Sequence, residues 1–194
     1  YVTNGVHVGT WMSPDIHRLC NKYLEKDWKL KVEDKKEWEG IKNIPDEEVW
    51  QTHKEIKRKL LREVKIKNKE RMLKNNVPFE TIKEIEEKID PNVLTIGFAR
   101  RFATYKRATM LFSDIERLSE IVNDDVRPVQ FIFAGKAHPA DVEGQDLIRR
   151  IHEVSMMPQF RGKIILLENY NMAISRFLIS GCDVWLNTPR RPME

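Results

Sequence analysis

Apolar and polar positions follow one rhythm before Asp90-Pro91 and another after it. Before that point the spacing is helical. Ser13-Pro14-Asp15 predicts a helix start: the serine hydroxyl can cap, proline has no N–H to lose in a first turn, and an acid suits the positive helix end. Ile16, Leu19, Cys20, Tyr23 and Leu24 then mark one buried face. The stretch from Lys29 to Gly40, with Trp28 and Trp38, is polar and predicts a loop with a short turn. Pro45-Asp46 opens a long helix whose apolar stripe runs through Val49, Trp50, Ile56, Leu60, Leu61 and Val64 to Met72-Leu73. Asn75-Asn76 stops it, and Pro78 restarts a shorter helix carrying Ile82, Ile85 and Ile89. These helices hold more apolar side chains than they can bury among themselves, so they need a neighbour.

Beyond Asp90-Pro91 short apolar runs alternate with amphipathic stretches. Val93 to Gly97 predicts a buried strand ending in glycine, followed by a helix from about Lys106 to Ile121. Val129 to Ala134 (VQFIFA) predicts the second strand, Lys163 to Leu167 the third and Asp183 to Asn187 the fourth. Helices over Asp141 to Val154 and Ala173 to Ser180 connect them. Continuous apolar strands between helices imply an α/β fold with a parallel sheet covered on both faces.

In an open parallel sheet, ligands gather beyond the carboxyl ends of the strands. The first such end carries Arg100, Arg101, Lys106 and Arg107. Arginine grips phosphate with a planar fork, lysine offers a point charge, and a helix N-terminus adds free N–H groups, so this turn predicts an oxyanion or phosphate pocket. Arg107 alone reads as a solvated member of the turn, and Tyr105 equally as core packing or as a hydrogen-bonding wall. After the second strand, Gly135 lets backbone approach and Lys136 could meet an anion, while His138, before a proline, reads as a loop residue. His7 lies in a glycine-flanked loop, where the reading from residues alone is a surface histidine.

Composition narrows the classes. Hydrophobic residues at 41% and charged residues at 33% allow a core and a well-solvated surface. A net charge of +4 and a pI near 9.0 raise the question of nucleic acid. Between Asn21 and Asp90, however, basic and acidic residues are interspersed in nearly equal number, whereas a phosphate-tracking stripe needs one sign to dominate. No run approaches the roughly 18 uncharged apolar residues of a membrane-spanning helix. Two distant cysteines, Cys20 and Cys182, argue against a disulfide framework and against a metal site, and fit a reducing, cytoplasmic setting. The opening YVTNGVHVGTW has neither the basic start nor the apolar run of a signal peptide, and the chain reads as a piece of a larger protein.

The segments TNGVHVGTW (Thr3 to Trp11), GFARRFATYKRA (Gly97 to Ala108), FAGKAHPAD (Phe133 to Asp141), ENYNMAIS (Glu168 to Ser175) and DVWLNTPRRPME (Asp183 to Glu194) together resemble the glycogen/α-glucan phosphorylases, above all their shorter bacterial and archaeal type. The resemblance spans nearly the whole chain. It implies a two-lobed glycosyltransferase-B fold: residues 1–12 as the end of the N-terminal lobe, 13–90 as a helical connector, and 91–194 as the first half of a Rossmann-like parallel β/α lobe. The implied reaction is phosphorolysis of α-1,4-glucan by inorganic phosphate to glucose 1-phosphate, with pyridoxal 5′-phosphate serving through its phosphate group.

The resemblance also assigns roles. Arg101 and Lys106 match the pair that holds the substrate and cofactor phosphates, and Arg100 matches a lysine on the cofactor phosphate. Tyr105 matches a tyrosine lining the glucosyl site, Tyr170 one near the cofactor, and Glu194 an acid on a glucose hydroxyl. His7, two positions beyond the place of the family's sugar-binding histidine, is its nearest counterpart, and Lys136 joins the substrate-binding set. The cofactor's lysine is expected beyond Glu194, so the chain alone is expected to be inactive, its parent an enzyme whose oligomeric state stays open. Two other readings compete: a nucleotide-sugar-dependent glucan synthase of the same fold, and a noncatalytic anion- or nucleic-acid-binding domain.

Overall fold

A computed structural model describes residues 5–192 of the chain. A single turn, α1 (Val8–Trp11), leads into α2 (Pro14–Tyr23), where Ser13 Oγ accepts from the Ile16 N–H at 3.2 Å and Pro14 occupies the first turn. The polar stretch that follows is pinned by Trp28, whose Nε1 donates to Asn21 Oδ1 at 2.9 Å and whose ring meets Trp38 edge-on at 5.6 Å. It forms two 3-10 turns, Trp28–Leu30 and Glu37–Asn43.

The long helix α3 (Asp46–Lys74) begins with Asp46, Glu47 and Glu48 and ends with Arg71 and Lys74, so its charges oppose the helix dipole at both ends. Asn75 Nδ2 donates to the Arg71 carbonyl at 2.8 Å, and Asn76, at φ 53°, turns the chain out. Pro78 then introduces α4 (Phe79–Lys88).

Four strands follow: β1 (Leu94–Ala99), β2 (Val129–Ala134), β3 (Ile164–Leu167) and β4 (Val184–Trp185). They pair in the order β3-β2-β1-β4, all parallel, with Ile96 opposite Phe131 and Val184, and Phe133 opposite Leu166. Alternation along the strands divides the core in two. Phe98, Phe131, Phe133, Ile164 and Leu166 pack with Leu118 and Val122 of α5 (Ile115–Val122) and with Ile151 and Val154 of α6 (Val142–Met156). On the other face, Ile132, Ala134, Ile165 and Leu167 pack with Leu60, Leu61, Val64 and Met72 of α3, with Ile82 and Ile85 of α4, and with Ile174 and Leu178 of α7 (Met172–Gly181). The neighbour that the first helices require is therefore the sheet itself. Each aliphatic side chain sealed there is worth roughly 1.5–3 kcal/mol.

The Asp90-Pro91 corner is held to the sheet by buried polar groups: Gln130 Nε2 donates to the Asp90 carbonyl at 2.8 Å and to Thr95 Oγ1 at 2.7 Å.

Three sequence expectations change. β1 runs past Gly97 to Ala99, and glycine is needed because a Cβ there would lie 2.5 Å from Cys182 Sγ. The helix expected from Lys106 to Ile121 is instead a 3-10 turn over Thr104–Lys106, a second over Met110–Ser113, and α5 from Ile115. Arg107, in the left-handed region at φ 49°, breaks the first turn, and Asp114 Oδ1 starts α5 by accepting from the Arg117 N–H at 2.8 Å. Finally, β4 pairs over two residues only, and both are exposed, so this edge is not covered among the described residues.

Candidate functional site

The strand order decides which turns meet at the carboxyl rim. The chain leaves β1 over the face that carries α5 and α6 and reaches β2. From β3 it crosses the opposite face through α7 to β4, on the other side of β1. The turns after β1 and β4 therefore lie side by side at the carboxyl rim, where an open parallel sheet places its ligands.

These two segments are joined. Arg100 Nη1 donates to Asn187 Oδ1, and the Arg190 N–H donates to the Tyr105 carbonyl at 2.8 Å. Thr188 Oγ1 donates to the Lys106 carbonyl at 2.9 Å. Arg107 Nε donates to the Thr188 carbonyl at 2.8 Å and Arg107 Nη2 to that of Pro189 at 3.3 Å. Within the turn Lys106 is buried, with its ammonium 5.2 Å from the centre of the Tyr105 ring, whereas Arg101 is exposed at the turn's start. A buried lysine beside exposed and half-buried arginines gives the rim an inner and an outer layer of positive charge. That arrangement can take a multiply charged oxyanion.

The helix expected to open this turn's far side is absent there, as shown above. The helix whose first turn meets it is α6: a Cβ on Gly144 would lie 2.5 Å from the Phe102 carbonyl. Asp141 Oδ1 already accepts from the Gly144 N–H at 2.9 Å, so this helix end is capped by a carboxylate. The positive charge at this turn is therefore carried by side chains.

The turn after β2 is drawn up against the basic turn. The Phe102 N–H donates to the Lys136 carbonyl at 3.0 Å, and a Cβ on Gly135 would lie 2.0 Å from the Arg100 carbonyl. The Lys136 side chain is exposed at this rim. Tyr170, after β3, is half-buried against the core on the α3 and α7 face and hydrogen-bonds Ser175 Oγ at 2.9 Å. His7 is exposed at the start of α1, with Nδ1 2.7 Å from Thr10 Oγ1, and α1 packs on α7. Glu194 lies outside the described residues.

The sequence reading missed Arg107, taken there for a solvated cation, and the receiving group of Asn187, Thr188 and Pro189. Their partners stand more than eighty positions apart in the chain, and only the β1–β4 pairing brings them together.

Other polar clusters serve the scaffold. At the opposite, amino rim of the sheet, Asp183 accepts from Lys57 Nζ at 2.5 Å and the Thr95 N–H at 2.7 Å, and its second oxygen is 2.6 Å from His53 Nε2. Glu25, Asp27 and Glu37 converge, but the Lys31 ammonium, 2.7 Å from Asp27 Oδ2, already supplies their cation. A cleft of about 770 Å³ runs between α1, α2, α3 and α7, lined by Trp11, His17, Arg176 and Phe177 among others, and none of Arg100, Arg101, Lys106 and Arg107 lines it. No helix among the described residues is long and apolar enough to cross a membrane.

Comparison with known proteins places this geometry in context. The sequence model of the carbohydrate phosphorylases matches residues 1–187. The chain is 48% identical to the maltodextrin phosphorylase of Thermococcus litoralis over 193 residues, which is 100% of this chain and 23% of that protein. It is 44% identical to the glycogen phosphorylase of Aquifex aeolicus over 194 residues, 28% of that protein, and 37% identical to that of Mycobacterium tuberculosis over 193 residues, 22% of that protein. The chain thus spans about a quarter of the length of the curated relatives it matches.

Proposed function

The chain belongs to the carbohydrate phosphorylase family, and from that premise we propose that it forms part of an α-1,4-glucan phosphorylase, an enzyme that transfers a terminal glucosyl unit to inorganic phosphate and yields glucose 1-phosphate. One observation carries the reading: the turn after β1 that bears Arg100, Arg101 and Lys106 is bonded directly to the segment after β4 at the carboxyl rim of the sheet.

The chemistry that such a site must support explains the cations. Phosphorolysis brings an anionic nucleophile against a glucosyl carbon that becomes cationic as the glycosidic bond breaks. A phosphate held by Arg101 and Lys106 can both stabilise that carbon electrostatically and pass a proton to the departing sugar oxygen. Arginine's fork sets the orientation of the phosphate, and the buried Lys106 acts with little solvent screening. Tyr105 would wall the sugar side, and Lys136 would approach from the β2 turn.

Pyridoxal 5′-phosphate is the cofactor we assign to the whole enzyme. The donor set here fits its phosphate: Arg100 and Lys106 are cations at one rim, and Tyr170 stands after the next strand but one. When bound, that phosphate supplies a second anionic group able to exchange a proton with the substrate phosphate. The residues of this chain hold and screen the charges. Two mutually repelling phosphates can share a site only where cations surround them. A cytoplasmic setting is the one we propose, with the spacing of Cys20 and Cys182 in its favour.

The test is direct. The full-length enzyme, given glucan and inorganic phosphate, is expected to release glucose 1-phosphate, and Lys106→Met is expected to remove most of that activity. Transfer from a nucleotide sugar with no phosphorolysis would reject the assignment. The chain by itself is expected to bind inorganic phosphate in calorimetry at low salt while releasing no glucose 1-phosphate from glucan.

A further inference from the structure

We infer that Arg107 is a positioning residue: its guanidinium clamps the segment after β4 onto the basic turn after β1, and so sets where Lys106 and Arg101 stand relative to a bound phosphate. This rests on the phosphate reading of the basic turn and adds to it a residue that the reading does not require.

The geometry argues for the role in three steps. First, Arg107 is spent on backbone. Nε reaches the Thr188 carbonyl at 2.8 Å and Nη2 the Pro189 carbonyl at 3.3 Å, so two donors of a planar fork hold two successive peptide groups. Second, the contact is returned. Thr188 Oγ1 lies 2.9 Å from the Lys106 carbonyl and 3.3 Å from the Arg107 carbonyl, and the Arg190 N–H donates to the Tyr105 carbonyl at 2.8 Å. The two segments are therefore stitched on both sides of Lys106.

Third, Arg107 adopts φ 49° and ψ 45°, a region unfavourable for a residue with a long side chain. A glycine or asparagine would meet the backbone need more easily, but neither could reach across to Thr188 and Pro189. β4 itself pairs with β1 over only two exposed residues, and beyond the Leu186 N–H to Gly97 carbonyl bond and the Arg100–Asn187 bond its continuation is held by this seam. The clamp supplies the attachment that the short strand does not.

The test uses this chain with inorganic phosphate as the probe, together with amide hydrogen exchange at Arg190, whose N–H reports the seam. Arg107→Gln is expected to lose protection at Arg190 and to weaken phosphate binding by about tenfold, with a small fall in the unfolding midpoint. Arg107→Lys, which reaches a carbonyl with one ammonium, is expected to recover part of both. Thr188→Val keeps Arg107 and removes the returning bond; it is expected to shift both readouts in the same direction by about threefold, and it decides the matter should Arg107→Gln fail to fold. Unchanged Arg190 protection, a released segment with undiminished phosphate affinity, or an Arg107→Lys chain no better than Arg107→Gln would each overturn the role. If the unsubstituted chain binds no phosphate while Arg190 stays protected, the phosphate reading itself fails and the positioning role falls with it.

Discussion

Lys57 Nζ lies 2.5 Å from Asp183 Oδ2, so the long helix α3 is bolted to the residue immediately before β4. Lys57 is 4% exposed and also donates to the Val93 carbonyl at 2.7 Å, next to the start of β1. One buried ion pair thus fixes α3, β1 and β4 at the amino rim, while the basic turn is displayed at the other.

Removing the acid should be worse than removing the base. Asp183→Ala leaves a buried ammonium without its carboxylate and is expected to destabilise the chain by about 3–5 kcal/mol in urea unfolding. Lys57→Met leaves Asp183 with His53 and the Thr95 N–H and is expected to destabilise less. Acid sensitivity follows from the same site. Burial alone would raise the Asp183 pKa, but hydrogen bonds from Lys57, His53 and Thr95 outweigh it and hold the carboxyl below its ordinary range. A folded-state pKa below the unfolded one gives stability that is complete above about pH 4 and lost as pH falls through the folded value. Asp183→Asn should flatten that loss.

His152 should govern a second, milder slope. Arg71 Nη1 donates to His152 Nδ1 at 2.9 Å, and burial, then the Arg71 charge, push the imidazole below its usual pKa, with Glu168 and Glu153 opposing. The unfolded chain therefore takes up this proton first. Stability is expected to be full above about pH 6.5 and to fall as pH drops below it, until the folded value is passed. His17, shifted the same way by burial and Lys29, adds to the slope. Urea midpoints at several pH values should show it, and His152→Gln should reduce it without abolishing it.

Gly135→Ala should loosen the rim. The added Cβ would sit 2.0 Å from the Arg100 carbonyl and 2.8 Å from the Phe102 ring. The expected loss is about 3 kcal/mol, larger than for most overpacking changes because backbone must move. Phosphate affinity should fall in parallel, since the displaced carbonyl belongs to the basic turn.

Cys182 should be chemically silent. Burial, then the charge of Asp183, push its thiol up to about 12, so almost none of it is thiolate at neutral pH. Labelling by a thiol reagent is expected to be slow in the folded chain and to accelerate sharply in urea. Rapid labelling of Cys182 under native conditions would contradict the packing of Cys182 against Gly97.

Local chemistry made most elements legible. The cap at Ser13, the acidic start and asparagine stop of α3, and the apolar run of β2 each act over a few neighbouring residues, and the structure forms them where the pattern put them. The helix expected from Lys106 failed because periodicity registers spacing and not φ. The left-handed Arg107 and the cap at Asp114 divide that stretch, though Ser113-Asp114 was a readable start signal.

What the sequence alone determined was the kind of molecule: helices with a surplus apolar face, short parallel strands, and a cationic turn after the first of them. Strand order was decided only in three dimensions, because pairing β4 beside β1 rather than beside β3 depends on a crossover through α7 and on burial against α3. That choice puts Arg107 next to Thr188 and Lys57 next to Asp183. Interactions between residues so far apart along the chain exist only after its entropy has been surrendered to a particular topology, and no local pattern encodes them.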